Sequence, residues 1–443
     1  MTPLKSTALA LGLLASPFMT GSVSAQMTDH ASAPNPIDQT RPDAPELAAF
    51  GDHVIGVRTL DFSHADQIDI LNVTDAETPS YDRPLTVEVW YPAAEGTEAG
   101  TTYDTVIRDG TTATTLSGRA SRDAEAAPDG QFPLVLISHG YPGNRFLMSH
   151  LGENLASKGY VVAAIDHTDS TYSDQAAFGS TLLNRPRDQR FVLDQMANLV
   201  ETAPDLAAIV DASNTGVIGY SMGGYGALIF GGAGVTQAAV ELPWGTPQGL
   251  LAANLAGSDS LAEIVDDRVK AVIAIGPWGR QHGFWDEAGL ADLRKPVMIM
   301  AGSVDDVSNY AAMRQIFEQA TGTTRHLLTF ENANHNAAAP MPAPVESWQA
   351  VDGLDFIPFD HYADPVWDTL RMNNIAQHFA TGFLDLHLKG DDSKAAYLDL
   401  IPEAGAGVVA LDEDGTAQPE HTYWRGFAPR TAAGLTFETL EAE

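Results

Sequence analysis

Apolar residues occur along this chain in two alternating patterns. Short, continuous apolar runs at residues 132–138, 160–165 and 215–220 are typical of strands that are covered on both faces of a parallel sheet. Between them, residues 147–158 and 187–200 have the periodicity of amphipathic helices. This alternation of strand and helix predicts an α/β fold with a doubly wound, mostly parallel sheet and right-handed crossovers.

The same alternation continues on both sides of this central segment. Further apolar runs at residues 269–275, 296–301 and 325–330 predict three more parallel strands. Residues 53–62 and 84–91 alternate between apolar and polar side chains instead, which predicts antiparallel strands at an edge of the sheet. The pattern therefore predicts a large sheet whose centre is parallel and whose edge is antiparallel.

These elements predict one domain over residues 51–390, elaborated by three long insertions. The insertions cover residues 93–131, 234–268 and 337–364, and they are far longer than the usual connections between elements. Segments of this kind often form lids or pocket walls, and we expect the second and third to roof the site. Residues 391–443 contain enough aromatic side chains to pack on the domain as a C-terminal extension.

The N-terminus has the pattern of a secretory signal peptide. Lys5 precedes an apolar run at residues 8–15, and Val23-Ser24-Ala25 supplies the small side chains that a signal peptidase requires. We therefore expect residues 1–25 to be a cleaved signal and the protein to be periplasmic or secreted. Residues 26–50 contain several Pro, Ala and Asp residues without periodicity, which predicts a flexible segment.

Composition narrows the range of partners. The 443 residues include 58 acidic and 24 basic side chains, which gives a net charge of −34 at pH 7. Such a charge argues against nucleic acid or an anionic membrane surface as a partner. The chain contains no cysteine, which excludes disulfides, thiol catalysis and thiolate metal sites. We expect no stable membrane anchor, and the sequence leaves the oligomeric state open.

The strand at residues 215–220 leads into the motif Gly219-Tyr220-Ser221-Met222-Gly223, which a helix is predicted to follow. A serine on a sharp strand-to-helix turn is held above the sheet in a strained backbone conformation, and glycines two positions away on either side avoid a collision. Ser221 is therefore the candidate nucleophile.

A serine hydroxyl needs a base, and the base needs an acid that orients it. His335 follows the predicted strand 325–330 and is the candidate base, in the chain order Ser, acid, His. Asp305 and Asp306 follow the strand before it. Asp305 is favoured as the acid because it stands three residues after Gly302, whereas Asp306 is the alternative.

Acyl transfer also requires backbone N–H groups that stabilise an oxyanion. One is predicted at Met222, directly after the nucleophile. The other is predicted at Tyr141, on the loop after strand 132–138, because the next residue, Pro142, has no N–H to donate. His139 on the same loop is expected to be structural. This chemistry requires no metal and no other cofactor.

Three tryptophans are candidates for binding the substrate. Trp244 lies in the second insertion, and Trp278 and Trp285 lie on the loop after the predicted strand 269–275. Together with Phe356 and Phe359 of the third insertion, they predict an apolar, partly covered pocket. The alternative is that these aromatic side chains only anchor long loops to the core.

Two motifs carry a family resemblance. Ser-His-Gly-Tyr-Pro-Gly-Asn-Arg at residues 138–145 and Gly-Tyr-Ser-Met-Gly-Gly at residues 219–224 resemble those of α/β-hydrolases grouped around platelet-activating-factor acetylhydrolases and dienelactone-hydrolase-like esterases. The second motif, with a tyrosine at the oxyanion position, is also similar to that of bacterial cutinases and polyester hydrolases. The resemblance covers roughly residues 130–390 and implies an α/β-hydrolase fold with lid-like insertions.

Motifs and resemblance together predict a secreted serine hydrolase of small to medium carboxylic esters. A cutinase-like polyester hydrolase and a phospholipid acetylhydrolase are the alternatives within the fold. A non-catalytic binding protein of the same fold is less favoured, because the fold alone does not preserve a complete set of catalytic residues.

Overall fold

The computed structural model describes residues 35–175 and 178–443, so the predicted signal peptide lies outside the described residues. In this part of the chain a ten-stranded sheet accompanies a separate two-stranded hairpin. The strands are β1 (Ile55–Ile68), β2 (Ser80–Pro92), β3 (Thr101–Val106), β4 (Ala113–Gly118), β5 (Ser121–Arg122), β6 (Phe132–Ser138), β7 (Val161–Asp166), β8 (Val210–Tyr220), β9 (Val269–Ile275), β10 (Val297–Gly302), β11 (Arg325–Phe330) and β12 (Leu435–Leu440). The helices are α1 (Ser149–Ser157), α2 (Phe178–Ala197), α3 (Pro204–Ile209), α4 (Met222–Phe230), α5 (Gln237–Val240), α6 (Asp259–Ile264), α7 (Glu287–Ala291), α8 (Tyr310–Gln319) and α9 (Thr369–Leu388).

The order of strands across the large sheet is β12-β11-β10-β9-β8-β6-β7-β2-β1-β5. The six central strands from β11 to β7 are parallel to one another. β2 pairs antiparallel with β7 and β1 pairs antiparallel with β2, as the alternating pattern of these segments indicates. The predicted α/β architecture with a mostly parallel, doubly wound sheet is confirmed.

Both faces of the central strands are covered, which explains their continuous apolar sequence. On β6, Leu134 and Leu136 belong to the core that α2, α4 and α8 cover, and Val135 and Ile137 belong to the core under α1 and α9. Burial of each such side chain contributes about 1.5–3 kcal/mol relative to exposure. No position on β6 after Phe132 is exposed, so an alternating pattern cannot arise there.

The chain reverses direction across the sheet at β6. It passes from β6 to β7 on one side and then to β8 on the other, so that β6 and β8 are neighbours. Ser138 at the end of β6 is aligned with Gly219 near the end of β8. The loops that leave these two strands diverge at the carboxyl edge of the sheet and leave a crevice between them, where ligands bind in open α/β sheets.

One helix begins earlier than the sequence predicts. Residues 187–200 were expected to be helical, but α2 covers Phe178–Ala197 and contains Pro186 in its interior. A proline is favoured at a helix start and disfavoured further inside, so sequence reasoning begins a helix directly after it. Packing of buried residues on both sides of Pro186 keeps the longer helix intact.

The prediction of a flexible segment over residues 26–50 is wrong for residues 35–50. Ile37 is 1% exposed, and the Asp38 carboxylate accepts a hydrogen bond from Gln377 Nε2 at 2.8 Å. The Arg41 N–H donates to Asn374 Oδ1 at 2.9 Å. Composition suggested flexibility, but the polar partners on α9 satisfy this segment and fix it to the domain.

The C-terminal extension contributes to the sheet as well as packing on it. β12 pairs antiparallel with β11 and forms an edge of the sheet, which sequence analysis did not predict. Trp424 is 1% exposed, and its indole N–H donates to the Ile401 carbonyl at 2.8 Å. Among the helices of residues 35–175 and 178–443, none combines the length and the apolar composition needed to cross a membrane.

The three insertions have regular structure of their own. Residues 93–131 contain the β3–β4 hairpin and β5, and residues 234–268 contain α5, α6 and the 3-10 helix Pro247–Asn254. Residues 337–364 contain two short 3-10 helices, Val345–Trp348 and Pro358–His361. The first and third insertions reach the crevice at the carboxyl edge of the sheet.

Candidate active site

Ser221 lies on the turn between β8 and α4. Its backbone has φ 54° and ψ −112°, in a region that non-glycine residues rarely adopt, and its N–H donates to the Ile275 carbonyl at 2.8 Å. A Cβ atom at Gly223 would overlap with the Ser138 carbonyl oxygen, and one at Gly219 would overlap with the carbonyl oxygen of Gly223. The two glycines therefore permit the close approach that raises Ser221 above the sheet.

The structure brings His335 between Ser221 and Asp305. His335 Nε2 is 3.0 Å from Ser221 Oγ, and His335 Nδ1 is 2.8 Å from Asp305 Oδ2. A neutral imidazole that donates from Nδ1 to the carboxylate has Nε2 free to accept the serine proton. The order Ser, Asp, His along the chain agrees with the order expected from the motif.

Asp305, rather than Asp306, provides the carboxylate that contacts His335. The other oxygen of Asp305, Oδ1, accepts hydrogen bonds from the N–H groups of Val307 and Ser308, both at 2.8 Å. These bonds fix the carboxylate, whose side chain is 0% exposed. Asp306 is exposed, and its N–H donates to Asn334 Oδ1 at 3.3 Å.

A cavity of about 650 Å³ lies above Ser221 and His335. Arg108 reaches it from the tip of the β3–β4 hairpin, and Phe356 and Phe359 reach it from the third insertion. The lining includes Arg108, Gly140, Tyr141, Tyr220, Asn336, Phe356, Phe359, Asp360 and His361. Ser221 itself is 7% exposed, so its contact with solvent is through this cavity.

The loop after β6 forms one wall of the cavity and carries the predicted oxyanion residue Tyr141. Met222, the other predicted donor, is the first residue of α4. The buried Arg185 side chain anchors the loop, because its guanidinium donates to the carbonyl of His139 at 2.7 Å and to that of Gly140 at 3.4 Å. Arg185 is a residue of α2 that sequence reasoning did not single out.

A second Ser–His–Asp arrangement lies beneath this loop. Ser138 Oγ is 2.9 Å from His167 Nε2, and His167 Nδ1 is 2.9 Å from Asp188 Oδ2. Burial lowers the pKa of His167 to about 3, so its imidazole is neutral. Burial would raise the pKa of Asp188, but the adjacent Arg83 guanidinium holds it below the usual value. All of these side chains are buried.

The structure does not bring the three predicted tryptophans to the cavity. Trp285 is 1% exposed and donates its indole N–H to the Ala233 carbonyl at 3.2 Å, so it is a core residue. Trp278 and Trp244 pack on each other and on Phe178, with ring centroids 5.2–6.2 Å apart. The prediction that the three tryptophans line the pocket is wrong for this cavity, because Trp285 is in the core and the other two pack in an aromatic cluster outside the lining, where Trp244 is 46% exposed.

Of the two insertions that we expect to roof the site, only the third contributes to the cavity lining. Phe356 and Phe359 of the third insertion line the cavity, whereas the lining contains no residue of the second insertion. Arg108 was missed, because a single arginine in a polar, turn-rich segment carries no sequence signal. Within the described residues, no group of three or more His, Cys, Asp or Glu side chains is arranged to hold a metal ion.

Comparison with known proteins shows similarity over part of the sequence and in the fold. A family model described as PET hydrolase-like matches residues 113–256, which include Ser221 but end before Asp305 and His335. A ferulic acid esterase from Streptomyces cinnamoneus has a similar structure, with a TM-score of 0.54 and 22% identity over 81% of this chain and 94% of that chain. This likeness shows the fold.

Two curated proteins are similar over part of their length. Cutinase est1 of Thermobifida alba is 26% identical over 205 residues, which are 46% of this chain and 53% of that protein. A bis(hydroxyethyl) terephthalate hydrolase of Streptomyces coelicolor is 33% identical over 209 residues, 47% of this chain and 51% of that protein. The chain thus spans about half the length of these relatives.

Sheet order and the turn at Ser221 are those of the α/β-hydrolase fold, which the structural neighbour shares. Over part of its length, the sequence is similar to a PET hydrolase-like family model, to a cutinase and to a terephthalate ester hydrolase.

Proposed function

We propose that this protein is a serine hydrolase of carboxylic esters, with Ser221 as nucleophile, His335 as base and Asp305 as the acid that orients it. The observation that carries the proposal is the continuous chain of hydrogen-bonding distances from Asp305 through His335 to Ser221, at the base of an open cavity. A triad of this kind is recognised by its geometry and by the roles that geometry permits.

The mechanism has two half-reactions. Ser221 Oγ attacks the ester carbonyl while its proton passes to His335 Nε2, and Asp305 stabilises the imidazolium that results. The N–H groups of Tyr141 and Met222 stabilise the oxyanion. His335 then gives the proton to the departing alcohol, which leaves an acyl-Ser221 ester. Water attacks this ester with His335 again as base, and the acid is released.

The size and lining of the cavity support small to medium esters as the first candidate substrates. A volume of about 650 Å³ is within the usual range for small-molecule sites, and the rings of Phe356 and Phe359 offer apolar surface to an acyl or aryl group. The names of the similar proteins, a terephthalate ester hydrolase and a ferulic acid esterase, support an aromatic acyl group. Polyester hydrolysis is the second candidate, which the PET hydrolase-like family model favours.

The central test is turnover of 4-nitrophenyl acetate by the wild type and by Ser221→Ala. We expect the variant to lose kcat by on the order of 10⁴–10⁶, because the covalent step is removed. Ser213→Ala is the matched control, since Ser213 is an exposed serine on the same strand. Retention of activity by a folded Ser221→Ala variant would exclude the mechanism.

A substrate panel separates the candidate functions. Soluble terephthalate diesters, short acyl esters, a short-acyl phospholipid and a polyester film should be compared at equal enzyme concentration. Cleavage of the soluble esters without release of product from the film supports the first candidate, and rapid erosion of the film supports the second.

We propose further that the protein is secreted, with residues 1–25 as the signal. Expression of the full chain in a bacterium with a secretory pathway should yield a mature protein that begins at Gln26 and accumulates outside the cytoplasm. An uncleaved, cytoplasmic product would contradict this proposal.

A further inference from the structure

Arg108 is the basic side chain that the first insertion contributes to the cavity. It stands on the tight turn that connects β3 and β4, where the N–H of Ile107 donates to the Thr112 carbonyl at 2.9 Å. Asp109 Oδ1 accepts from the N–H groups of Thr111 and Thr112 at 2.9 and 2.8 Å. These bonds fix the turn, so Arg108 is presented to the cavity from a defined position.

The Arg108 guanidinium has no acidic partner in the described part of the chain. Its electrostatic neighbours are Tyr172, Tyr362, Tyr141 and the His361 imidazole, and its guanidinium carbon lies 5.2 Å from the ring centroid of Phe356. Burial lowers its pKa, although a guanidinium remains charged at any physiological pH. A partly desolvated cation without a counter-ion is energetically unfavourable, and an anionic ligand would relieve this cost.

Two other arginines that are buried or half-buried have carboxylate partners. Arg83 pairs with Asp169 and Asp188, and Arg145 pairs with Glu88 and Asp166. What distinguishes Arg108 is its place in the cavity lining, next to Ser221 and His335, without a carboxylate partner in the described residues.

The acidic residues of the cavity wall do not act as counter-ions to the Arg108 guanidinium. Asp364 accepts hydrogen bonds from three backbone N–H groups, those of Asn334, Val366 and Trp367. Asp360 and Asp306 are exposed, and neither forms an ion pair with Arg108 in the described residues. The planar fork of the guanidinium therefore remains available for a carboxylate that enters the cavity.

We propose that Arg108 binds a free carboxylate of the substrate, so that the site prefers half-esters of dicarboxylic acids. The inference rests on the proposed ester hydrolase function and names its substrate class. The ester group reaches Ser221, the spacer packs on Phe356 and Phe359, and the distal carboxylate pairs with Arg108. Water adds across the ester C–O bond, and the products are a dicarboxylate, an alcohol and one proton.

This substrate class also indicates which reactions must precede and follow the one catalysed here. A half-ester arises when one of the two ester bonds of a dicarboxylic diester is hydrolysed. A diester hydrolysis must therefore supply the preferred substrate, and a process that uses the free dicarboxylate or the alcohol must follow.

The test compares monomethyl esters of succinic, glutaric, adipic and terephthalic acid with neutral partners in which a primary carboxamide replaces the free acid. For at least one spacer, the wild type should have a higher kcat/KM with the carboxylate. Arg108→Gln should lower that value by roughly ten- to a hundredfold, the range for a hydrogen bond to a charged group, and change the carboxamide value less than about threefold. Arg294→Gln is the control of equal charge change, since its side chain is 65% exposed.

Two further measurements keep the outcomes distinct. The carboxylate preference of the wild type should decrease as salt is added, because salt screens the ion pair. Calorimetric binding of monomethyl terephthalate to Ser221→Ala, and its loss in Ser221→Ala/Arg108→Gln, tests the carboxylate site without turnover. The inference would be overturned if Arg108→Gln lowered kcat/KM equally for the carboxylate and the carboxamide esters. It would also be overturned if the wild type showed no preference for the carboxylate with any spacer. Absence of turnover with 4-nitrophenyl acetate would overturn the proposed function instead.

Discussion

Three fully buried histidines should make the stability of this protein steeply dependent on pH in mild acid. Burial lowers the pKa of His150, His167 and His378 to about 3 each. In the unfolded chain a histidine has a pKa of about 6.5. Because the pKa is lowered on folding, each histidine contributes stability that is fully present above pH 6.5 and is lost as the pH falls toward 3.

The magnitude follows from proton uptake. Between about pH 6 and pH 4 each of these histidines is protonated in the unfolded state and neutral in the folded state, which gives a slope of about 1.4 kcal/mol per pH unit. Three such groups give about 4 kcal/mol per pH unit. Since the free energy of unfolding of a domain is about 5–15 kcal/mol, a change from pH 7 to pH 5 should remove much of it.

His150 is the best position for a test. It is 0% exposed, and neither ring nitrogen has a hydrogen-bond partner within the described residues. Burial is the cause that lowers its pKa. In His150→Leu, which substitutes an apolar side chain of similar size, the free energy of unfolding should decrease less on going from pH 7 to pH 5, by about 2 kcal/mol.

The assay is urea unfolding followed by tryptophan fluorescence at several pH values between about 5 and 7.5, with the slope m compared at each pH. His282→Gln is the matched control, because it removes an exposed histidine rather than a core one. If the curves of stability against pH for His150→Leu and the wild type are parallel, the burial argument is wrong.

Three further predictions concern the reaction. Asp305→Asn should lower kcat by on the order of 10³–10⁴, whereas Asp306→Asn should change kcat little. If both variants fold and Asp306→Asn has the larger effect on kcat, Asp306 is the acid. Arg185→Met should lower kcat with little change in KM, because it frees the His139 and Gly140 carbonyls of the oxyanion loop, and an unchanged kcat for acetyl esters would contradict this role. In a series of 4-nitrophenyl esters, kcat/KM should peak at short or medium acyl chains, because each methylene that does not fit weakens transition-state binding by about 1–3 kcal/mol. A continuous rise of kcat/KM up to the palmitate ester would indicate an open groove instead.

Sequence reasoning succeeded where the determining residues are close together in the chain. The turn at Ser221 is specified by glycines two residues away on either side, and each central strand is specified by its own apolar run. Even the choice of Asp305 over Asp306 depended on local spacing from Gly302. In these cases the physical cause and the sequence signal coincide.

Sequence reasoning failed where tertiary contacts decide. The sequence indicates that Trp285 is buried, but it does not show whether the side chain lies in the core or in the wall of a pocket. Residues 35–50 have a composition typical of flexible segments, yet α9 supplies their hydrogen-bond partners. Arg108 reaches the cavity only because the β3–β4 hairpin folds over it, and no local pattern predicts that position.

The two Ser–His–Asp arrangements show what geometry alone does not determine. In the Ser138–His167–Asp188 chain both hydrogen-bonding distances are 2.9 Å, and around His335 they are 3.0 and 2.8 Å. Distances therefore do not separate them.

The surroundings of the two serines distinguish the two Ser–His–Asp arrangements. Ser138 ends an extended strand and is 0% exposed, so no ester can reach its hydroxyl. Burial lowers the pKa of His167 to about 3, which makes its imidazole a poor proton acceptor at neutral pH, and Asp188 already pairs with Arg83. Ser221, by contrast, is raised by a strained turn into a cavity. The buried chain therefore holds the loop after β6 in place, and the chain at the cavity is the one that can meet a substrate.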